Sequence, residues 1–113
     1  GNGRQILSEE TIRKLSTVQN RRRDKVVPIP MHWRLGYHRV FTAGPKTPNA
    51  FGHCGLGGSG AWCDPSRLLA VGMTLNSGLG TPFGDSRLAL INTLVIRIAD
   101  KLGDNKSPVL GYN

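Results

Sequence analysis

Hydrophobic spacing along the chain changes period several times, and each change marks an element. Ser8 precedes a segment whose apolar residues Ile12, Leu15 and Val18 fall on one helical face, with Glu9 and Glu10 in the first turn. A serine side chain can accept from the free amides of a first turn, and acidic residues are favourable at the positive end of the helix dipole. The pattern predicts a helix over about 9–19, ending before the arginines. Residues 20–31 then read as a basic connector bounded by Pro28 and Pro30. From Trp33 to Phe41 the period becomes two: Trp33, Leu35, Tyr37 and Arg39 alternate with Arg34, Gly36, His38 and Val40, which predicts a strand. A loop follows over 44–48, and further strands are expected over 50–56, 60–64 and 68–75. The glycine cluster 55–60 and the turn Asp64-Pro65-Ser66-Arg67 separate them. Tightly linked strands of this kind make an antiparallel meander. After the Gly/Pro-rich stretch 77–84, a long helix is expected from Asp85, with Leu88, Ile91, Leu94, Val95, Ile98 and Leu102 on one buried face and Gly103 stopping it. Residues 104–113 read as a loose tail. The fold class is therefore α+β: an antiparallel sheet meander flanked by an N-terminal helix and a long C-terminal helix.

Composition narrows this picture. A chain of 113 residues is one domain or less, and such a domain buries roughly 65% of its unfolded surface. Apolar residues make up 38%, alongside 15 glycines and 7 prolines, so the chain is turn-rich and short of core material. The formal charge is +8, but Arg21-Arg22-Arg23, with Lys25 beside it, is its only run. Few aromatics interleave with the other basic residues, whereas a single-strand binder needs stacking platforms along a basic groove. The run reads as a solvated loop, with no nucleic acid as partner. No apolar run of about 18 residues exists, so no membrane span is expected. The start, Gly1-Asn2-Gly3-Arg4, lacks the apolar core of a signal peptide and reads as the middle of something longer. The compartment is left open.

Cys54 and Cys63 match no zinc pattern, since C-x-x-C and H-x₃₋₅-H are both missing. A disulfide is one option; two free, partly buried thiols are the default. Gly55-Leu56-Gly57-Gly58-Ser59-Gly60 fits G-x-G-x-x-G letter for letter, but the dinucleotide fingerprint needs a helix immediately afterwards. Ala61-Trp62-Cys63-Asp64-Pro65 reads as strand and turn instead. Gly57-Gly58-Ser59-Gly60-Ala61 approaches the nucleophile elbow G-x-S-x-G but has Ala in the fifth position and no following helix. Ser59 is better read as a small residue where strands pack closely. His53 draws more interest, because Gly52-His53-Cys54-Gly55 leads into glycines whose backbone can approach a ligand. His32 and His38 read as surface or core-edge groups.

These residues carry a resemblance. Phe51-Gly52-His53-Cys54-Gly55-Leu56-Gly57-Gly58-Ser59, then Asp64-Pro65, then an aliphatic strand ending in Leu75-Asn76, resembles the third-motif region of the serine β-lactamase/penicillin-binding-protein superfamily. The esterase-like branch, related to class C β-lactamases, is the nearer one, because it carries H-x-G where other members carry K-T-G. Order and spacing match from about 33 to 102, and Gly3 to Gln19 also resembles the loop and helix preceding the family's "LGY" strand, Leu35-Gly36-Tyr37 here.

The resemblance implies a C-terminal portion of a β-lactamase/DD-peptidase-like fold. Residues 1–31 would be a helix and connector from the preceding part, 32–103 the sheet-and-helix part, and 104–113 the tail. In such enzymes the serine of S-x-x-K attacks an acyl carbonyl, and the oxyanion is held by two backbone amides. The second of these carries over to the backbone amide of Leu56, with His53, Cys54 and Gly55 lining the substrate pocket and His53 standing at the family's lysine position. The implied substrate is an acyl ester or a lactam, with ester favoured by His in place of Lys. No cofactor is implied. S-x-x-K is missing from the chain: Ser8-Glu9-Glu10-Thr11, Ser16-Thr17-Val18-Gln19 and Ser66-Arg67-Leu68-Leu69 all lack the lysine, and no convincing Y-x-N occurs. The implied partner is the missing N-terminal part of the same hydrolase, and the chain alone is expected to be inactive and to expose apolar surface. The alternative is a non-catalytic β-lactamase-like binding or assembly module; a basic nucleic-acid binder ranks lower.

Overall fold

The computed structural model describes residues 4–78 and 85–104. It is α+β, with a three-stranded antiparallel sheet and two α-helices. Helix α1 (Glu9–Ser16) starts where expected: the Ser8 hydroxyl accepts from the Thr11 amide at 3.1 Å. It stops three residues early because Ser16 and Thr17 turn their hydroxyls back onto the carbonyls of Ile12 and Arg13, at 2.6 and 2.7 Å. Local hydroxyl–carbonyl bonds of this type compete with helix continuation.

The sheet runs β1 (Phe51–Cys54), β2 (Gly60–Asp64), β3 (Leu69–Met73), in that spatial order. The pairs Gly52↔Trp62 and Trp62↔Val71 fix the register, placing Gly52, Cys54, Gly60, Trp62, Asp64, Leu69, Val71 and Met73 on one face. Phe51, His53, Ala61, Cys63, Ala70 and Gly72 take the other. Glycine is required at position 52, where a Cβ would lie 2.3 Å from the Ala61 carbonyl oxygen and 2.4 Å from the Trp62 Cβ. Between β2 and β3 the chain makes one 3-10 turn over Pro65–Arg67, ending with Leu68 in the left-handed region at φ 51°. The Asp64 carboxylate accepts from the Ser66 amide, and Arg67 bridges Asp64 and Asp100, at 2.6 and 2.7 Å.

Helix α2 (Ser86–Asp104) covers the Trp62 face. The core is Val40, Ala50, Trp62 and Ile96, with Leu69, Val71 and Val95 around it. Its buried helical residues are Leu88, Asn92, Thr93 and Ile96, which corrects the predicted stripe. Leu94, Ile98 and Leu102 are instead exposed, together with Leu90. Two polar residues take the inward positions because each satisfies groups that would otherwise be buried bare. Asn92 bridges the Trp62 indole and the Phe41 carbonyl, and the Thr93 hydroxyl accepts from the Ala43 amide. Gly103 does not end the helix either; it lies within it.

The predicted strand over 33–41 is a second correction. This segment forms only two isolated bridges, Asn20↔Trp33 and His38↔Gly52. His32 and Gly36 adopt positive φ values of 47° and 76°, which breaks extended geometry. Side chains replace the ladder: buried Arg34 donates to the carbonyls of Ser16, His32 and Pro48, at 2.8–2.9 Å. The connector before it is organised by Asp24, which accepts from the Val26 and Val27 amides and from the Trp33 indole. The expected tail over 104–113 lies, beyond Asp104, outside the described residues, as does 79–84 of the Gly/Pro-rich stretch. Among the described residues no helix is long and apolar enough to cross a membrane.

Candidate functional site

The end of β1 and its hairpin border a cavity of about 620 Å³. Its walls come from three directions: Val27, Ile29, Met31, Trp33 and Phe41 from the irregular segment, residues 53–56 from the hairpin, and Asp85, Ser86, Leu88 and Ala89 from the start of α2. All four residues singled out in the sequence, His53, Cys54, Gly55 and Leu56, meet there, and His38 joins them.

The hairpin explains why its glycines are needed. Gly55 N–H donates to the Ser59 carbonyl at 2.8 Å, and Gly58 N–H to the Gly55 carbonyl at 3.0 Å. Gly58 has φ 86°, and a Cβ there would press on the Leu75 and Asp85 side chains at 2.8 and 3.0 Å. The turn can therefore tuck under the beginning of α2 only with glycine at 58. The G-x-G-x-x-G letters thus serve a β-hairpin, and β2 follows where a dinucleotide site needs a helix. The Ser59 hydroxyl accepts from the Leu75 amide at 2.9 Å, tying the hairpin to the end of the sheet.

Strand pairing ends at Cys54↔Gly60, so Leu56 lies beyond the ladder, exposed in the turn and on the cavity wall. Among the described residues no hydrogen bond engages its amide. His53 projects from the face away from α2 and also borders the cavity, its ring 5.2 Å from that of His38.

His38 is the residue that sequence reasoning missed. It is buried, not a core-edge group. Its Nδ1 lies 2.7 Å from the Arg39 carbonyl, which can only accept, so Nδ1 carries the proton and Nε2 offers a lone pair. Nε2 accepts from the Cys54 amide at 3.2 Å and stands 3.8 Å from the Cys54 Sγ. An imidazole thus takes the place of a ladder carbonyl along the outer edge of β1. Burial pulls the His38 pKa below its ordinary value, with the nearby His53 and Arg34 adding to the effect against the Arg39 hydrogen bond. Burial also raises the Cys54 thiol. The pair rests as thiol and neutral imidazole. No spacing rule links positions 38 and 54; the alternation over 33–41 was the nearest signal, and it pointed to a strand. Cys63, also free and half-buried, projects from the opposite face of the sheet, which keeps the two thiols apart.

No profile of a known protein family matches the chain. No solved structure matches it. Over 77 residues, 66% of its length, it is 38% identical to the esterase/beta-lactamase LipL of Mycobacterium tuberculosis. The match takes in 17% of that relative, so the chain spans a small part of the curated protein it resembles. The similarity suggests an esterase/β-lactamase-like relationship over that part of the chain.

Proposed function

We propose that this chain is a C-terminal portion of a serine acyl hydrolase of the esterase-like branch of the β-lactamase superfamily. It supplies the third-motif strand and one donor of the oxyanion hole. On this reading residues 1–31 belong to the preceding helical part, residues 32–103 form the sheet-and-helix part, and β1 with His53-Cys54-Gly55 is the third-motif strand. The observation that carries it is Leu56, which directly follows His53-Cys54-Gly55, lies past the last paired residues and borders the cavity, and whose amide no hydrogen bond engages among the described residues. A main-chain donor held in a rigid hairpin can meet a developing oxyanion without reorganising, the condition under which such donors stabilise transition states. His53, at the rim, lines the pocket beside the attacked carbonyl of an acyl ester or lactam. Cys54 and Gly55 complete that wall.

The nucleophile comes from outside these 113 residues, since none of the chain's serines stands in S-x-x-K. The exposed stripe Leu90, Leu94, Ile98 and Leu102 on the outer side of α2 supports the same reading, because it is the surface a larger hydrolase would cover. A serine-directed fluorophosphonate tests the proposal. It labels a serine of the hydrolase that carries this segment, and labels none in the chain alone. Failure to label the larger protein would favour a non-catalytic module; labelling of a serine in the isolated chain would overturn the assignment of the nucleophile.

A further inference from the structure

We propose that Cys54 and His38 form a second nucleophilic pair, which accepts the acyl group of an activated ester bearing an apolar chain. The inference goes beyond the serine hydrolase reading: it shares that cavity but rests on the contact between Cys54 and His38, which that reading does not use. Three features make the pair more than a buried thiol. The Cys54 Sγ lies 3.8 Å from His38 Nε2, the unprotonated nitrogen, which also accepts from the Cys54 amide at 3.2 Å. The imidazole is itself oriented by a third group, the Arg39 carbonyl at 2.7 Å. Both residues border the cavity of about 620 Å³, which is also lined by the apolar residues Val27, Ile29, Met31, Trp33, Phe41 and Leu88. A nucleophile, a base within reach and a group holding the base is the arrangement that activates side chains for acyl transfer. The cavity adds a preference for an apolar acyl chain.

The step balances without any further reagent. Cys54 Sγ attacks the ester carbonyl carbon while its proton passes to His38 Nε2, which releases the Cys54 amide as it takes the thiol proton. The carbon–oxygen bond to the leaving group then breaks, and the imidazolium returns the proton to the departing oxygen. Ester and thiol become thioester and alcohol. Neutral thiol and neutral imidazole are the correct starting states, and burial favours both. The chain then carries one acyl group on Cys54, which is stoichiometric transfer and not turnover.

Cys63 is a built-in control, also free and half-buried but on the opposite sheet face, with no imidazole against its sulfur among the described residues. The full chain is incubated with p-nitrophenyl hexanoate, and acylated peptides are located by mass spectrometry. A release of nitrophenol reaching one equivalent is expected, with the acyl group on Cys54 and removable by hydroxylamine. Cys54 should react about a hundredfold faster than Cys63, in line with general-base assistance. The two rates should converge in denaturant. His38→Gln should remove the advantage; if that variant does not fold, the two cysteines of the unaltered chain decide the matter alone. An advantage below about tenfold, or acylation on serine or lysine first, would overturn the proposal. Neither result bears on fluorophosphonate labelling of a serine in the larger hydrolase, so the two ideas fail separately.

Discussion

Replacing Asn92 with alanine withdraws one side chain that satisfies two buried groups at once. Its Oδ1 accepts from the Trp62 indole at 2.9 Å and its Nδ2 donates to the Phe41 carbonyl at 3.1 Å, while the residue itself is 2% exposed. Alanine leaves the indole N–H and the carbonyl without these partners next to the Trp62–Ile96 core. Each unsatisfied buried group costs about 1–3 kcal/mol. Alanine is the better helix former, which returns about 0.5 kcal/mol. The net expectation is a loss of about 1.5–5.5 kcal/mol, with about 3 kcal/mol near the middle, a large share of the roughly 5–15 kcal/mol that holds a domain folded. Urea unfolding of the full chain, followed by tryptophan fluorescence, reads this as a fall in midpoint on the order of 1–2 M for a slope near 2 kcal/mol/M. Pairing Asn92→Leu with Trp62→Phe isolates the hydrogen bond: the double variant should lose less than the sum of the two single ones. A loss below about 1 kcal/mol for Asn92→Ala, or strict additivity in the cycle, would refute the claim that Asn92 ties helix to sheet.

Two further perturbations probe the backbone and the histidines. Leu68 sits at φ 51° with its side chain 96% exposed, so Leu68→Gly should relieve strain with no loss of packing and raise stability by about 0.5–1 kcal/mol in the same urea assay; a loss of stability would show that the turn is not strained. Burial lowers the His38 pKa, and burial with the nearby Arg39, Arg21 and Arg34 lowers that of His32, so the unfolded chain binds more protons than the folded one just below the ordinary histidine value. Stability from these groups is fully present above that value and is lost as pH falls toward the depressed folded values. The urea midpoint should therefore drop between about pH 7.5 and about pH 5, before the carboxylates of Asp24 and Asp100, themselves lowered in the fold, begin to titrate. A flat midpoint across that range would contradict the buried neutral state of His38.

Elements governed by local chemistry were legible in the sequence. Ser8 with Glu9 and Glu10 marks the start of α1, the Asp64-Pro65 turn separates β2 from β3, and the aliphatic run over 68–75 holds β3. What misled was apolar content taken as burial. Leu94 and Ile98 looked like core, yet Asn92 and Thr93 hold the inward positions because the sheet and the segment before it present an indole, a carbonyl and an amide that need partners. The segment 33–41 alternates like a strand, but positive φ at His32 and Gly36 and the three carbonyls gathered by Arg34 bend it away from a ladder. The same tertiary bonding hid His38, whose proximity to Cys54 depends on a single bridge to Gly52. His53 to Leu56 were singled out through the resemblance, and the structure brings the four together on the wall of one cavity.

The central claim rests on a single N–H, and one substitution removes that group alone. In the hydrolase carrying this segment and its serine, semisynthesis can exchange Leu56 for the corresponding α-hydroxy acid, turning its amide into an ester while keeping the side chain. If the Leu56 amide receives the oxyanion, kcat for a short acyl ester should fall on the order of 10²–10³-fold, about 3–4 kcal/mol of barrier, with the fold intact. An ester-linked protein that folds and turns over at the unaltered rate would contradict the account.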